Sequence, residues 1–259
     1  MTRTGRLNWG SNGELSGGLS GSTLKIIAAI SMLIDHTFVA IFEQGYIAGK
    51  LYMPGLFTPD GVLNYSHWVC WLGRVMRSII GRMAFPIFCF LLVQGFIYTS
   101  DRRNYKLRLL IFALLSEIPF NLALWDTYHF GTSNVLFTLF LGLISLEAME
   151  MERHPVLRAL AVAGIAVLAQ QLGSDYGASG VLLIVGLYLA RGDKMMTVLV
   201  GMCAVFVLPA LSNFMTVLAY IPIAFYNGKR GLKLKYAFYA FYPGHLLVLY
   251  FIRCLMVRG

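Results

Sequence analysis

An aspartate and a histidine stand side by side near the middle of the first apolar stretch of this 259-residue chain, LKIIAAISMLIDHTFVAIFE. The pair is Asp35 and His36, and Lys25 precedes His36 by eleven positions, which is close to three helical turns. Lys25 and His36 therefore share nearly one helix face and lie roughly 16–17 Å apart along the axis. Because imidazole ionises near neutral pH, a histidine at this depth is suited to act as a general base on a hydroxyl or amine. A lysine at the mouth of the same helix could hold the phosphates of a long activated donor.

Burying an ionisable group in hydrocarbon costs about 2.5–3.5 kcal/mol, so Asp35 and His36 are functional candidates. Neighbouring residues on a helix point about 100° apart, so Asp35 does not face the same imidazole. We expect Asp35 to orient a neighbouring group. The alternative is that both side chains only join helices by hydrogen bonds, as polar residues in membrane bundles often do.

A second ionisable group, Glu117, lies two residues before Pro119 in LLSEIPFNLAL. Pairing with Arg82 or His36 would lower the cost of burying it, and a structural ion pair with Arg82 and a catalytic role are both open. Arg82 itself could stabilise an oxyanion or an acidic acceptor. Weaker polar candidates, each more typical of a structural role, are Gln94, Asn134, Asp175 and Tyr176.

A cationic cluster follows a turn at Asn227-Gly228 in FYNGKRGLKLKYAFYAFYPGHLL. Its members are Lys229, Arg230, Lys233 and Lys235. The cluster is either a positive-inside anchor or a phosphate clamp made from the turn's backbone amides and the cations. His245 follows Pro243-Gly244 and is either a second site histidine or an interhelical hydrogen-bonding group.

Composition identifies the class of protein that carries these residues. The chain is 58% hydrophobic and 13% charged, with a mean hydropathy of +0.69, whereas an average soluble domain is about 45–50% apolar and about 25% charged. This excludes an ordinary soluble enzyme or a nucleic-acid-binding chain. We expect an all-α, polytopic transmembrane bundle in the lipid bilayer. The four cysteines lack metal-site spacing, so no metal is expected.

The apolar segments predict about nine to ten spans, some of them short or broken. They lie at 24–43, 84–99, 108–125, 133–150, 156–172, 178–190, 194–211, 212–226 and 236–256. Segment 62–82 carries three arginines and is ambiguous between a span, a re-entrant piece and an interfacial helix. Placing most of the 21 lysines and arginines on one side favours a cytosolic N-terminus and a segment 62–82 that does not cross. Residues 1–22 are expected to form a flexible tail before a single domain over 23–259.

Seven segments in collinear order resemble the TraX family of bacterial inner-membrane proteins. They are LKIIAAISMLIDH, GRMAFPIFCFLLVQGF, RLLIFALLSEIPFNLAL, NVLFTLFLGL, DYGASGVLLI, YNGKRG and FYAFYPGHLL. The family also looks related to the transmembrane acyltransferases, in which a basic residue, ten intervening residues and a histidine mark the first helix. Lys25 and His36 have that spacing.

The resemblance implies transfer of an acetyl group from cytosolic acetyl-CoA to an acceptor at or beyond the bacterial inner membrane. It implies His36 as the catalytic residue and Lys25 as a donor-side cation. We expect Asp35 and Glu117 to tune or orient His36. The donor-binding residues would be Lys25, Arg82, Asn227, Lys229 and Arg230. A pilin N-terminus, a glycan, a lipid and a small molecule are all open as acceptors, and a homodimer is left open. The rival functions are a proton-coupled transporter and a non-enzymatic assembly factor.

Overall fold

The chain folds into a bundle of helices, and no strand occurs in its described residues. The computed structural model describes residues 18–48, 50–51, 53, 55–56, 67–127, 132–233 and 235–258. The all-α fold expected from composition is confirmed. Residues 1–17 of the predicted 1–22 tail lie outside the described residues.

Among the described residues, four helical stretches are long and apolar enough to cross a membrane, and they form the frame of the bundle. They are α1 with its π-helical continuation (Gly21–Thr37 and Phe38–Ile47), α2–α3 (Trp68–Val75 and Ala84–Tyr98), α4 (Arg102–Leu124) and α10 (Lys235–Arg258). Each has a mean hydropathy of at least 1.5 over its best window. Helices of this composition are stable in hydrocarbon because every backbone amide is paired within the segment.

Shorter helices fill the bundle between these four. They are α5 (Val135–Met151), α6 (Pro155–Gln171), α7 (Gly177–Leu189), α8 (Lys194–Val207) and α9 (Tyr220–Ala224), with 3₁₀ turns at Pro209–Leu211 and Phe214–Ala219. Helices α5 to α8 have 13 to 17 residues, so they are about 20–26 Å long. They end well short of the longer α4 and α10.

One end of the bundle, here called the basic end, gathers most of the cationic residues. Arg102 pairs with Glu150, and Lys106 Nζ lies 2.5 Å from Glu147 Oε2, which joins the start of α4 to the end of α5. The amide of Gly21 donates to the carbonyl of Lys229 at 2.8 Å and brings the 226–231 turn to the same end. The sequence placed these cations on one side of a membrane, and the fold places them together.

Segment 62–82 does not form a separate crossing over its described residues. Helix α2 continues through a π-helical turn (Met76–Ile80) and a 3₁₀ turn (Gly81–Met83) into α3, so that Trp68–Tyr98 is one candidate span. The charge-based preference for a segment 62–82 that does not cross stays a prediction. Residues 57–66 lie outside the described residues.

The opposite end of the bundle is held by one buried arginine. Arg253, 2% exposed, donates to the carbonyls of Ala40, Leu122 and Ala123 at 2.8–3.1 Å and to Asp126 Oδ1 at 2.6 Å. These contacts tie α10 to the end of α4 and to the π-helical part of α1.

Candidate active site

Two histidines meet in the interior of the bundle. His36 on α1 is 8% exposed, and its Nδ1 lies 2.7 Å from Nε2 of His245 on α10. The two rings are nearly parallel, with centroids 5.0 Å apart. Tyr242 packs edge-on against both rings, at 6.3 Å from His36 and 5.8 Å from His245. His245 was expected either as a site residue or as a hydrogen-bonding group, and its position supports both descriptions.

The hydrogen bonds of this pair assign its protons. His245 Nδ1 lies 2.7 Å from the carbonyl oxygen of Phe241, and a carbonyl only accepts, so Nδ1 of His245 carries a proton. In a neutral ring Nε2 of His245 is then an acceptor, so Nδ1 of His36 donates to it. Nε2 of neutral His36 is therefore unprotonated, and within the described part of the chain it makes no hydrogen bond. The arrangement leaves Nε2 as a basic nitrogen on a side chain that is 8% exposed.

The helices change their winding where these side chains lie. α1 becomes π-helical at Phe38, two residues after His36, and π-helical turns occur frequently at functional sites. The Trp68–Tyr98 stretch changes from π to 3₁₀ over Met76–Met83, beside the same part of α1. The hydroxyl of Ser31, in the α-helical part of α1, donates to the carbonyl of Ile80 at the end of the π-helical turn.

Asp35 occupies the other face of α1 from His36. Its carboxylate lies against the backbone of Gly81, where an added Cβ would come within 2.4 Å of Oδ1. Oδ1 of Asp35 is buried and has no hydrogen-bond partner. Arg82, the residue after Gly81, interacts electrostatically with Tyr176 and with Asp35. The sequence expectation that Asp35 points away from His36 therefore holds.

Glu117 has amide partners in place of the two expected ones. Its carboxylate accepts from Asn134 Nδ2 at 2.6 Å, from the Asn134 amide at 3.3 Å and from Asn121 Nδ2 at 3.4 Å. Asn134 also caps α5, its Oδ1 accepting from the amide of Leu136 at 3.1 Å. The expected pairing of Glu117 with Arg82 or His36 is wrong, because Asn134 at the start of α5 supplies nearer donors. Glu117 joins α4 to the first turn of α5.

The predicted donor-binding residues fall into two groups. Lys25 lies beside Arg230 and over the ring of Phe238, 6.0 Å from its centroid, at the basic end. Lys229 and Arg230 are on the adjoining turn. Arg82 lies near Asp35 instead, so it is distant from this group.

The backbone amide and both side-chain polar atoms of Asn227 form hydrogen bonds within the chain itself. Its amide donates to Leu19 O at 3.0 Å, its Nδ2 donates to Gly18 O at 2.7 Å, and its Oδ1 accepts from the amide of Lys229 at 2.9 Å. These bonds order residues 18–22, which the sequence assigned to a flexible tail. Asn227 therefore positions the turn, and the cations beside it are the groups left to meet an anion.

The fold and this site define a polytopic helical membrane protein with a buried histidine pair. The chain belongs to the TraX family, since the family model described as TraX protein matches residues 20–253. It is also similar to a "Probable fimbrial assembly protein FimC, serogroup H1" of Dichelobacter nodosus. That relative is 28% identical over an alignment of 257 residues. The alignment covers 89% of this chain and 94% of the relative. No solved structure matches the chain.

Proposed function

We propose that this protein is a membrane acetyltransferase that moves an acetyl group from acetyl-CoA to an amine or hydroxyl, with His36 as general base. The observation that carries the proposal is the hydrogen-bond chain from His36 through His245 to the Phe241 carbonyl. It supports a defined protonation pattern in which Nε2 of His36 is free to take a proton. The similarity to a probable fimbrial assembly protein supports an acceptor that belongs to the cell surface.

Acetyl-CoA, as co-substrate, supplies an acetyl thioester. Nε2 of His36 takes the proton from the acceptor as the acceptor's oxygen or nitrogen bonds to the acetyl carbon and the carbon–sulfur bond breaks. The same nitrogen then returns the proton to the leaving sulfur, so His36 ends each cycle neutral. While His36 holds the extra proton, hydrogen bonding to His245 spreads the positive charge over two rings.

The cations at the basic end fit the phosphates of the donor. Lys25, Lys229 and Arg230 lie together there, and Lys25 is about 16–17 Å from His36 along α1. This is a separation that an extended pantetheine arm can bridge. We accordingly place the basic end on the cytosolic side of the inner membrane, as the positive-inside rule favours.

The test uses the purified full-length protein in lipid nanodiscs with radiolabelled acetyl-CoA and a bacterial membrane extract. His36→Ala should lower coenzyme A release by at least about 100-fold while coenzyme A binding is retained. His154→Ala is the matched control, because His154 is exposed at the start of α6 and makes no side-chain cap bond. Equal release by wild type and His36→Ala would overturn the proposal.

A second variant tests the donor site independently of chemistry. Lys229→Ala combined with Arg230→Ala should weaken coenzyme A binding at least about tenfold, because two charge-assisted contacts to phosphate are lost. Undiminished binding would remove these residues from the donor site. Proton flux driven by a solute gradient in vesicles, without acetyl transfer, would instead identify a transporter.

A further inference from the structure

Two buried polar atoms face the interior beside α1 without partners. Oδ1 of Asp35 lacks a hydrogen-bond donor and Nε of Arg82 lacks an acceptor. Buried polar atoms in native proteins are nearly always satisfied, and an exception calls for an unseen partner. One missing partner must donate and the other must accept.

The charges around these atoms are unbalanced. Asp35 and Asp175 both interact with Arg82, yet no ion pair of 4.0 Å or less joins them within the described residues. Arg77 is committed to Glu43, with its Nη1 2.5 and 2.7 Å from the two carboxylate oxygens. Two carboxylates therefore interact with one guanidinium that has no ion-pair partner within the described residues, and each sign of charge is open to a group of the opposite sign.

Within the described ranges no group of three or more His, Cys, Asp or Glu side chains is placed to hold a metal ion. An ammonium group donates hydrogen bonds, and the two carboxylates can accept them. Arg82 Nε needs an anionic or carbonyl oxygen, and guanidinium groups bind phosphate well. A single ligand that carries both an ammonium and a phosphate would satisfy both atoms.

The depth of Asp35 along α1 shows which part of a membrane this cluster of side chains meets. Asp35 is fourteen residues past the start of α1, about 21 Å from the basic end, in a hydrocarbon layer about 30 Å thick. Helices α5 to α8 end near this depth: Asn134 begins α5 beside Glu117, and Ser133 and Gly173 are hydrogen-bonded at 3.0 Å. Asp35 thus lies below the lipid headgroups of the leaflet that is farther from the basic end. Asp35, Arg77, Arg82 and Tyr176 are partly accessible, and Asp175 is exposed.

We propose that Asp35, Asp175, Arg82 and Tyr176 bind a primary ammonium group joined to a phosphate, as in phosphoethanolamine. The ammonium lies at the two carboxylates, and the phosphate accepts from Arg82 Nε and from the Tyr176 hydroxyl. Two sources share this chemistry: the headgroup of phosphatidylethanolamine and soluble O-phosphoethanolamine. Calling the bound group the acceptor rests on the acetyltransferase proposal, whereas the binding itself does not.

Tyr242 lies between these residues and the histidine pair. It packs against His36 and interacts electrostatically with Asp175 and Tyr176. In the transfer the ammonium first gives one proton to the exposed Asp175 carboxylate, from which it passes to water. The amine nitrogen then loses its second proton to His36 as the nitrogen–carbon bond forms. The thioester bond breaks, and that proton passes to the coenzyme A sulfur.

The test measures binding without acetyl-CoA, on the full-length protein in nanodiscs of phosphatidylglycerol. Ligand-observed NMR is recorded with O-phosphoethanolamine, phosphocholine, inorganic phosphate and ethanolamine. O-Phosphoethanolamine should bind at least about tenfold more tightly than the other three, because only it offers N–H donors and a phosphate together. Equal binding of phosphocholine, which has no N–H, would overturn the proposal.

The variants are Asp35→Asn and, as matched control, Asp193→Asn, which exchanges an exposed helix N-cap for an equally good one. Asp35→Asn should lose at least about tenfold in O-phosphoethanolamine affinity while it keeps coenzyme A binding, which proves the fold. Unchanged affinity would overturn the assignment. In nanodiscs of phosphatidylethanolamine, exclusion of the soluble probe identifies the lipid as source, and undiminished binding identifies the soluble compound.

The two proposals fail separately. Probe binding without coenzyme A release would overturn the acetyltransferase and leave this site standing. Coenzyme A release with the membrane extract, but no selective binding of O-phosphoethanolamine, would overturn this site and leave the acetyltransferase standing.

Discussion

Two carboxylates, Glu117 and Asp35, lie at a similar depth in the bundle and have opposite surroundings. Glu117 is 7% exposed and accepts hydrogen bonds from Asn134 and Asn121. Asp35 is more accessible, and its Oδ1 has no partner. The first carboxylate is satisfied by the chain and ties two helices together. The second remains available to something that is not part of the chain.

The same contrast holds across α1. His36 faces a complete chain of hydrogen bonds that ends at a backbone carbonyl, whereas the Asp35 face holds unpaired charges of both signs. A complete network fixes protons and rotamers before a substrate arrives. An incomplete one is stabilised only when a ligand completes it. We infer that the His36 face performs chemistry and the Asp35 face performs recognition.

The largest effect should come from breaking the complete network at His245. His245→Ala leaves Nδ1 of His36 without its acceptor, so the His36 ring is free to place its proton on the reacting nitrogen. We expect kcat for acetyl transfer to fall by about 100-fold, with KM for acetyl-CoA unchanged. Steady-state rates of coenzyme A release measure both values.

His245→Gln is the companion variant, because its side-chain oxygen can still accept a hydrogen bond. It should recover part of kcat if His245 positions His36. An equal loss in both variants, accompanied by a loss of coenzyme A binding, would show that His245 only supports packing.

The next effect separates the two carboxylates by stability. Glu117→Gln places an amide opposite Asn134 Nδ2 or leaves that donor unpaired, which should cost about 1–3 kcal/mol of folding free energy. Asp35→Asn should not lower stability, because the carboxylate forms no hydrogen bond or ion pair within the described residues. Unfolding in mixed micelles with increasing SDS measures both variants against wild type. A larger loss for Asp35→Asn would reverse the roles given to the two residues.

Much of the fold follows from the sequence because hydrophobic stretches and clustered cations both reflect the bilayer. The basic end was predictable, since Lys and Arg between apolar segments obey one topological rule. The continuation of 68–82 into α3 was not predictable, because the charges of Arg77 and Arg82 alone disfavour a span. Their partners Glu43 and Asp35 are distant in sequence and become visible only in the fold.

The site was predictable in its residues more than in its pairings. A histidine in an apolar helix stands out alone, but no local pattern indicates that His36 meets His245, 209 residues away. The same limit explains the wrong partners given to Glu117, whose donor Asn134 begins another helix. Asp175 and Tyr176 were ranked low because a loop after a short helix carries no sign of its depth. The short lengths of α5 to α8 are the sequence feature that indicates the depth of this loop.

The smallest effect should come from Gly81, which allows the Asp35 carboxylate to lie against the backbone. In Gly81→Ala the new Cβ would meet Asp35 Oδ1 at 2.4 Å and Cγ at 2.7 Å, so the carboxylate must move. We expect O-phosphoethanolamine to bind about threefold to tenfold more weakly, which is about 0.7–1.4 kcal/mol, by the same NMR titration. Gly164→Ala is the control, because a Cβ at Gly164 meets nothing within 4 Å and alanine favours the helix. If Gly81→Ala binds the probe as tightly as Gly164→Ala, the carboxylate of Asp35 does not hold the ammonium group.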